Sequence, residues 1–170
     1  GLRSVIFRYF NASGAHPSAE IGEDHRPEEH LIPVAIKAAQ GLRPSLKLFG
    51  TDYPTPDGTC VRDYIHVCDL AEAHWKGVQW LADGKPSETF NLGNGEGYSV
   101  RQVVEFVSEV TGMQVPFETA DRRAGDPAVL VASSAKAKEL LGWEPQRPQL
   151  KTIIEDAWRW HSTHPNGYGD

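Results

Sequence analysis

The feature that most constrains the fold is an alternation between short strand-like runs and longer runs with apolar residues at helical spacing. The strand-like runs are rich in β-branched and aromatic residues and are followed by turn residues. They are RSVIFRYF (3–10), SLKLFG (45–50) and ETFNLG (88–93). Strands that alternate with helices are typical of an α/β fold, which we therefore expect.

Five runs have the spacing of amphipathic helices, and turn residues close them. The run 99–112 has the clearest ends, because Ser99 is a suitable N-cap and Gly112 a suitable terminator. The predicted helices lie in EEHLIPVAIKAAQG (28–41), VCDLAEAHWKGVQWLADG (67–84), SVRQVVEFVSEVTG (99–112), SSAKAKELLGW (133–143) and QLKTIIEDAWRWHSTHP (149–165).

Length and charge restrict the class of protein. A chain of 170 residues with 39% hydrophobic residues is the size of one domain with a real core. The net charge of -6, without any Lys/Arg run, argues against a nucleic-acid partner. No apolar run reaches the roughly 18 residues of a membrane span, and no signal peptide is visible, so we expect a cytoplasmic protein. Cys60 and Cys68 fit neither a zinc pair nor a redox motif and are predicted to be free, buried thiols.

The polar segment GTDYPTPDGTCVRDYIHV (50–67) contains Asp57-Gly58, a strong turn signal that predicts a hairpin. Arg62 and Asp63 stand just before the apolar YIHV. They are compatible with a surface ion pair and equally with a ligand-binding role. Spacing alone does not decide between these two interpretations.

Two further polar stretches were candidates for binding sites. In DRRAGDPAVL (121–130), Arg122 and Arg123 could clamp a phosphate, because guanidinium presents a fork of donors to anionic oxygens. A solvated turn would give the same pattern. In HRPEEH (25–30), the spacing matches neither HExxH nor HxxEH, and Pro27 would interrupt a helical face, so the sequence predicts no metal site.

Several motifs together resemble the C-terminal half of the UDP-glucose 4-epimerase family, a group of extended short-chain dehydrogenases/reductases. The resemblance covers essentially the whole chain, and the joined DYPTPDGTCVRDYIHV block separates this family from related nucleotide-sugar dehydratases. The motifs are RYFNASGAHP, HLIPVAI, LFGTDYPTPDGTCVRDYIHVCDLAEAH, FNLGNGEGYSV, RRAGDP and HPNGYGD.

The resemblance implies that residues 1–170 form a single C-terminal UDP-sugar-binding domain. The first strand, at about 3–10, would belong to the edge of a Rossmann sheet. The family's GxxGxxG turn and YxxxK pair belong to an N-terminal NAD-binding half and do not occur in these residues, so we expect an N-terminally truncated chain without catalytic residues. GNGEG (93–97) lacks the full dinucleotide spacing and is interpreted as a turn leading to the helix after Ser99. The full-length protein is expected to be a homodimer.

The implied reaction interconverts UDP-glucose and UDP-galactose through transient transfer of the C4 hydride to NAD. The resulting 4-keto sugar must rotate, so the nucleotide is held tightly and the hexose loosely. Two alternatives stay open at this point. One is another NAD-dependent epimerase, acting on UDP-glucuronate or UDP-N-acetylglucosamine, and the other is a UDP-sugar-binding module without catalysis.

The resemblance also assigns roles to single residues near the cofactor and the diphosphate. Tyr9 and Phe10 resemble positions that flank the nicotinamide end of NAD. Asn11 resembles a side chain that contacts the UDP-sugar. His30 and Leu31 correspond to a helix start near the diphosphate, where bacterial relatives often carry Asn in place of His30.

The remaining assignments concern the nucleotide and the sugar. Lys47, Leu48 and Phe49 resemble a strand whose backbone edge reads uracil, with the Phe49 ring beside the base. Leu130 corresponds to a position beside the C2 substituent of the sugar.

Three charged residues complete the set. Arg62 and Arg123 resemble ligands of the diphosphate, and Asp126 resembles the acceptor for a ribose hydroxyl. Both arginines are therefore supported by the chemistry of their side chains and by the resemblance.

Overall fold

The computed structural model describes residues 1–169, which form five α-helices and nine short β-strands. All five predicted helices are present, each within its predicted run. They are α1 (Leu31–Ala39), α2 (Val67–Ala82), α3 (Val100–Thr111), α4 (Ala135–Leu141) and α5 (Leu150–Thr163).

The strands pair mostly in parallel, as expected for an α/β protein. They are β1 (Val5–Arg8), β2 (Asn11–Ser13), β3 (Leu46–Phe49), β4 (Val61–Arg62), β5 (Tyr64–His66), β6 (Glu88–Asn91), β7 (Tyr98–Ser99), β8 (Phe117–Ala120) and β9 (Val129–Leu130). Parallel pairs join β1 to β6, β2 to β5 and β3 to β8. Strand β4 lies between β7, which is antiparallel to it, and β9, which is parallel.

The strand predicted at about 3–10 is present but shorter, since β1 spans Val5–Arg8, and β2 begins at Asn11 with a different pairing partner. The prediction of a hairpin is wrong. The hairpin expected around Asp57-Gly58 is a turn without flanking paired strands. Its backbone closes through the Tyr53 N–H, which donates to the Gly58 carbonyl at 2.9 Å. The turn signal was correct, but β3 and β4 each pair with other strands, so no hairpin forms.

Helix α3 shows why the helix predictions succeed. The Ser99 hydroxyl accepts from the Gln102 N–H, and the Gln102 side chain accepts from the Ser99 N–H, which makes a capping box. Gly112 ends the helix with φ 70°, a left-handed conformation that glycine adopts without strain. Between these ends, Val103, Val104 and Val107 are buried on one face.

Two hydrophobic clusters hold the elements together. In the larger one, α1, α3 and α5 pack against each other and against β3 and β5. The smaller one joins α2, α4 and β6 around the fully buried Trp143. The helices pack against the strands in these two clusters. The polar loops that follow the strands lie at the surface.

Both cysteines are free thiols, as predicted. Cys60 is buried, but Cys68 is only half-buried, so the expected burial is wrong for Cys68. Among residues 1–169, no helix combines the length and the apolarity that crossing a bilayer requires.

Candidate functional site

Arg62 is held in place on β4, opposite Leu130 of β9. Its Nη1 donates to the carbonyls of Val61 (2.8 Å) and Pro127 (2.9 Å). Its Nη2 lies 3.4 Å from Asp126 Oδ1, and the Arg62 side chain is 13% exposed. A guanidinium fixed by carbonyls and one carboxylate is preorganised to bind an anion at its remaining face.

Asp63 does not pair with Arg62, so the surface ion pair considered from the sequence is wrong. The Asp63 carboxylate is buried and accepts from the backbone N–H groups of Asn94 (3.0 Å), Gly95 (3.3 Å) and Ala132 (3.1 Å). Burial raises the pKa of Asp63, and these three hydrogen bonds partly offset the effect. Asp63 therefore organises the loops beside Arg62.

This role of Asp63 was missed at the sequence level, although the glycine-rich run 93–97 was a usable signal. A Cβ atom on Gly93 would lie 2.5 Å from Asp63 Oδ2. Only glycine therefore lets the chain approach the carboxylate closely enough to present its N–H groups.

Asn11 and Leu130 are brought to this group through the backbone of Asp63. Asn11 Nδ2 donates to the Asp63 carbonyl at 2.8 Å, and the Asp63 N–H donates to the Leu130 carbonyl at 3.1 Å. The structure thus places Asn11, Arg62, Asp126 and Leu130 on neighbouring segments. These four residues are named here the Arg62 group.

The two arginines of the loop 121–127 point to different partners and do not form a paired clamp. Arg122 Nε lies 2.7 Å from Asp52 Oδ1, and its guanidinium lies 4.3 Å from the Tyr53 ring centroid. That hydrogen bond lowers the pKa of Asp52. Arg123 instead lies over the Phe49 ring at 4.1 Å. Arg123 is exposed and forms no ion pair among residues 1–169, so its donors are available to an anion.

Strand β3 presents its three predicted site residues in different ways. Lys47 is exposed, Leu48 is buried in the core and Phe49 is half-buried under Arg123. Within the described part of the chain, β3 pairs only with β8, so its other backbone edge is unpaired. An unpaired edge can exchange hydrogen bonds with a planar base.

Tyr9 and Phe10 form the link between β1 and β2, and each is 41% exposed. The Tyr9 ring lies edge-on to His74, with centroids 6.2 Å apart.

His30 and Leu31 mark the start of α1. Leu31 packs against the larger hydrophobic cluster. The exposed imidazole of His30 lies among acidic side chains, 2.8 Å from Glu23 Oε1 and 3.0 Å from Glu28 Oε1. With His25, these residues bring four groups of metal-ligating type together.

The arrangement around Arg62 is suited to binding and offers no activated nucleophile. Burial raises the pKa of the Cys60 thiol and of the Tyr64 hydroxyl, so both stay protonated near neutral pH. The groups suited to binding are the guanidinium groups of Arg62 and Arg123, the Asp126 carboxylate and the Phe49 ring. Such a set can hold an anionic ligand that also carries hydroxyls and a planar base.

The parallel strand pairs, the helices packed on them and the polar loops after the strands define an α/β protein of the extended short-chain dehydrogenase/reductase type. The chain belongs to the NAD dependent epimerase/dehydratase family, whose model matches residues 1–93.

Within this family, the chain is similar to individual proteins named UDP-glucose 4-epimerase. The chain is 55% identical to a UDP-glucose 4-epimerase of Halalkalibacterium halodurans, covering 99% of this chain and 50% of that protein. It superposes on a crystal structure of UDP-glucose 4-epimerase with a TM-score of 0.96 and 58% identity, over 99% of this chain and 51% of the other.

The crystal structure of UDP-glucose 4-epimerase from Bifidobacterium longum in complex with NAD+ and UDP is also similar. Its TM-score is 0.89 at 38% identity, over 96% of this chain and 49% of that one. The chain thus spans about half the length of the curated relatives it matches.

Proposed function

We propose that this chain is the UDP-sugar-binding part of an NAD-dependent UDP-glucose 4-epimerase, which interconverts UDP-glucose and UDP-galactose. The observation that carries the proposal is that two guanidinium groups flank one short loop, 123–126. Arg123 lies over Phe49 at the start of this loop, and Asp126 at its end pairs with Arg62 of β4. The names of the similar proteins support the same activity and favour it over the other epimerases and the non-catalytic module.

The nucleotide is gripped by charge and by stacking. The diphosphate binds to the guanidinium groups of Arg62 and Arg123, whose forked donors match its oxygens. Asp126, half-exposed beside Arg62, accepts a hydrogen bond from a ribose hydroxyl. Uracil lies beside the Phe49 ring and along the unpaired edge of β3, Lys47 to Phe49.

The sugar pocket is formed by fewer polar groups, which suits a hexose that has to rotate. The Asn11 side-chain amide donates to the Asp63 carbonyl, so its amide oxygen is available to accept a hydrogen bond from a sugar hydroxyl. Leu130 contributes an apolar wall beside the C2 substituent. Modest contacts of this kind permit the 4-keto sugar to rotate, whereas the contacts to the nucleotide keep this intermediate from leaving the site.

The proposed contact with the cofactor lies at the link between β1 and β2. Tyr9 and Phe10 expose aromatic faces that fit packing against the nicotinamide end of NAD. NAD held beside these residues would supply the transient oxidation at C4 of the sugar. The exposed start of α1, at His30 and Leu31, faces the diphosphate in this proposal, where helix N–H groups favour an anion.

The domain arrangement proposed here rests on β1. Among residues 1–169, β1 pairs only with β6, and Ile6 on this strand is 52% exposed. An exposed apolar strand with a free edge is suited to continuing a sheet. We infer that β1 joins the edge of a Rossmann sheet from an NAD-binding half, in a cytoplasmic homodimer.

The test uses the full-length protein, in which this chain and the NAD-binding half are combined. Arg62→Ala and Arg123→Ala are each expected to weaken UDP binding by roughly 1.5–3 kcal/mol, the range for hydrogen bonds to charged groups. Arg122→Ala is the matched control, because Arg122 is engaged with Asp52 and Tyr53. Isothermal titration calorimetry with UDP measures the effect.

Equal UDP affinity in the wild type and in both variants would contradict the proposed grip. Conversion of UDP-galactose to UDP-glucose, followed in the same preparations, tests the activity itself. UDP binding without any conversion would return the chain to the alternative of a non-catalytic module. Faster conversion of UDP-glucuronate or UDP-N-acetylglucosamine would favour the other epimerases.

A further inference from the structure

A cluster of four metal-ligating side chains lies in the segment between β2 and α1. It consists of Glu23, His25, Glu28 and His30, and one potential ligand atom from each lies within 4.8 Å of the others. We name it the Glu–His cluster. Only His30 also belongs to the proposed UDP-sugar site.

The close contacts between the imidazoles and carboxylates of the cluster outnumber the protons available to them. His25 Nδ1 lies 2.8 Å from Glu23 Oε1, and His30 Nδ1 approaches the same oxygen at 2.8 Å. His30 Nδ1 also lies 3.0 Å from Glu28 Oε1. A single Nδ1–H cannot point at two carboxylates at once, so one of these contacts lacks a well-directed proton.

Glu28 gives an independent indication of a missing positive group. Its side chain is 5% exposed, and its Oε2 atom is buried without a hydrogen-bond partner in the described part of the chain. The distance from this oxygen to His25 Nδ1 is 4.0 Å. Among residues 1–169, no Lys or Arg forms an ion pair with Glu23 or Glu28. A buried, unpartnered carboxylate oxygen is costly, and a bound cation would satisfy it.

We propose that the Glu–His cluster binds one Zn2+ ion. The ligands are Nδ1 of His25 and of His30 and one carboxylate oxygen each of Glu23 and Glu28. Tetrahedral zinc with bonds of about 2.0–2.2 Å needs ligand atoms roughly 3.3 Å apart. Each of the four ligand atoms lies within 4.8 Å of the others, and the shortest contacts are 2.8 Å, so modest side-chain movements bring them to that separation.

The ligand types favour zinc over magnesium. Imidazole suits Zn2+, whereas Mg2+ prefers oxygen ligands in an octahedral arrangement. The two carboxylates form the buried side of the cluster, and the His25 and His30 side chains, 59% and 57% exposed, form its open side. An ion can therefore enter from solvent.

The spacing within HRPEEH does not predict this site, because the HExxH and HxxEH motifs place their ligands on one helix. The fold instead brings Glu23 from outside that run, and α1 begins only after His30. Zinc would tie the segment after β2 to the first turn of α1. Nε2 of His30, on the opposite side of the ring, would remain available to a diphosphate.

The experiment uses the full-length protein after treatment with a chelator, and titrates it with ZnCl2 or MgCl2 by calorimetry. We expect one Zn2+ per chain, a higher Tm with zinc and no comparable effect of Mg2+. His25→Ala and Glu28→Gln should each lower zinc affinity at least tenfold. His16→Ala is the matched control, since His16 is an exposed histidine of the same segment outside the cluster. UDP affinity of the zinc-free protein, measured separately, reports on the proposed function.

Absence of zinc binding would overturn the proposal, as would zinc affinity that is unchanged in the double variant His25→Ala/Glu28→Gln. Circular dichroism establishes that the variants are folded. If a variant is unfolded, the wild type loaded with Co2+ decides the question. Intense visible absorption of tetrahedral cobalt supports the site, and the weak spectrum of octahedral cobalt overturns it.

Discussion

Protonation of His161 is predicted to destabilise the protein in mild acid. His161 lies on α5 and is 8% exposed. Burial lowers the pKa of His161 from 6.5 to about 4, and the positive charge of Lys37 acts in the same direction. The native state therefore holds this imidazole neutral at a pH at which the unfolded chain protonates it.

The sign and size of the effect follow from proton linkage. Between the unfolded pKa of 6.5 and the native pKa of about 4, the unfolded state binds more protons, so the free energy of unfolding falls as pH falls. At about pH 5, the unfolded imidazole is almost fully protonated and the native one mostly neutral. The stability lost relative to about pH 7.5 is then about 2 kcal/mol.

Urea denaturation of the wild type and of His161→Gln, at about pH 7.5 and about pH 5, measures this contribution. The wild type should lose about 2 kcal/mol more than the variant on acidification. Burial also lowers the pKa of His66, but that contribution is present in both proteins and cancels in the comparison. An equal loss in both proteins would refute the reasoning, because it would show that His161 does not titrate between the two states.

Two further predictions concern the sugar pocket and the chain by itself. We expect the full-length protein to use UDP-glucose well and UDP-N-acetylglucosamine weakly. Leu130→Tyr should shift the ratio of their kcat/KM values by about 1–3 kcal/mol against the N-acetylated sugar; an unchanged ratio would exclude Leu130 as the residue that sets this preference. The 170-residue chain alone should neither convert UDP-galactose nor retain NAD, and Ile6, Trp75 and Val78, each more than half exposed, should make it associate. Measured turnover, or a monodisperse monomer in light scattering at high concentration, would contradict these two expectations respectively.

Local signals predicted the helices well because apolar residues at helical spacing, and at α3 both end signals, lie close together in sequence. Ser99 and Gln102 form a capping box at the start of α3, and Gly112 ends the helix. The turn at Asp57-Gly58 was predicted for the same reason. The absence of a hairpin at this turn was not predicted, because strand pairing depends on segments far apart in sequence, such as β4 and β9.

The candidate site was predicted as a set of residues and not as a geometry. Arg62 and Asp63 are neighbours in sequence, yet one faces Asp126 and the other faces backbone N–H groups of distant loops. Arg122 and Arg123 likewise diverge to Tyr53 and Phe49. Periodicity cannot reveal such contacts, since they depend on which loops the fold brings together.

The most direct test of the proposed UDP-sugar grip is a crystal structure of the full-length protein with UDP. The proposal predicts diphosphate oxygens within hydrogen-bond distance of both the Arg62 and Arg123 guanidinium groups, with uracil beside Phe49 and a ribose hydroxyl on Asp126. A diphosphate bound elsewhere, with Arg62 still held only by Val61, Pro127 and Asp126, would contradict it.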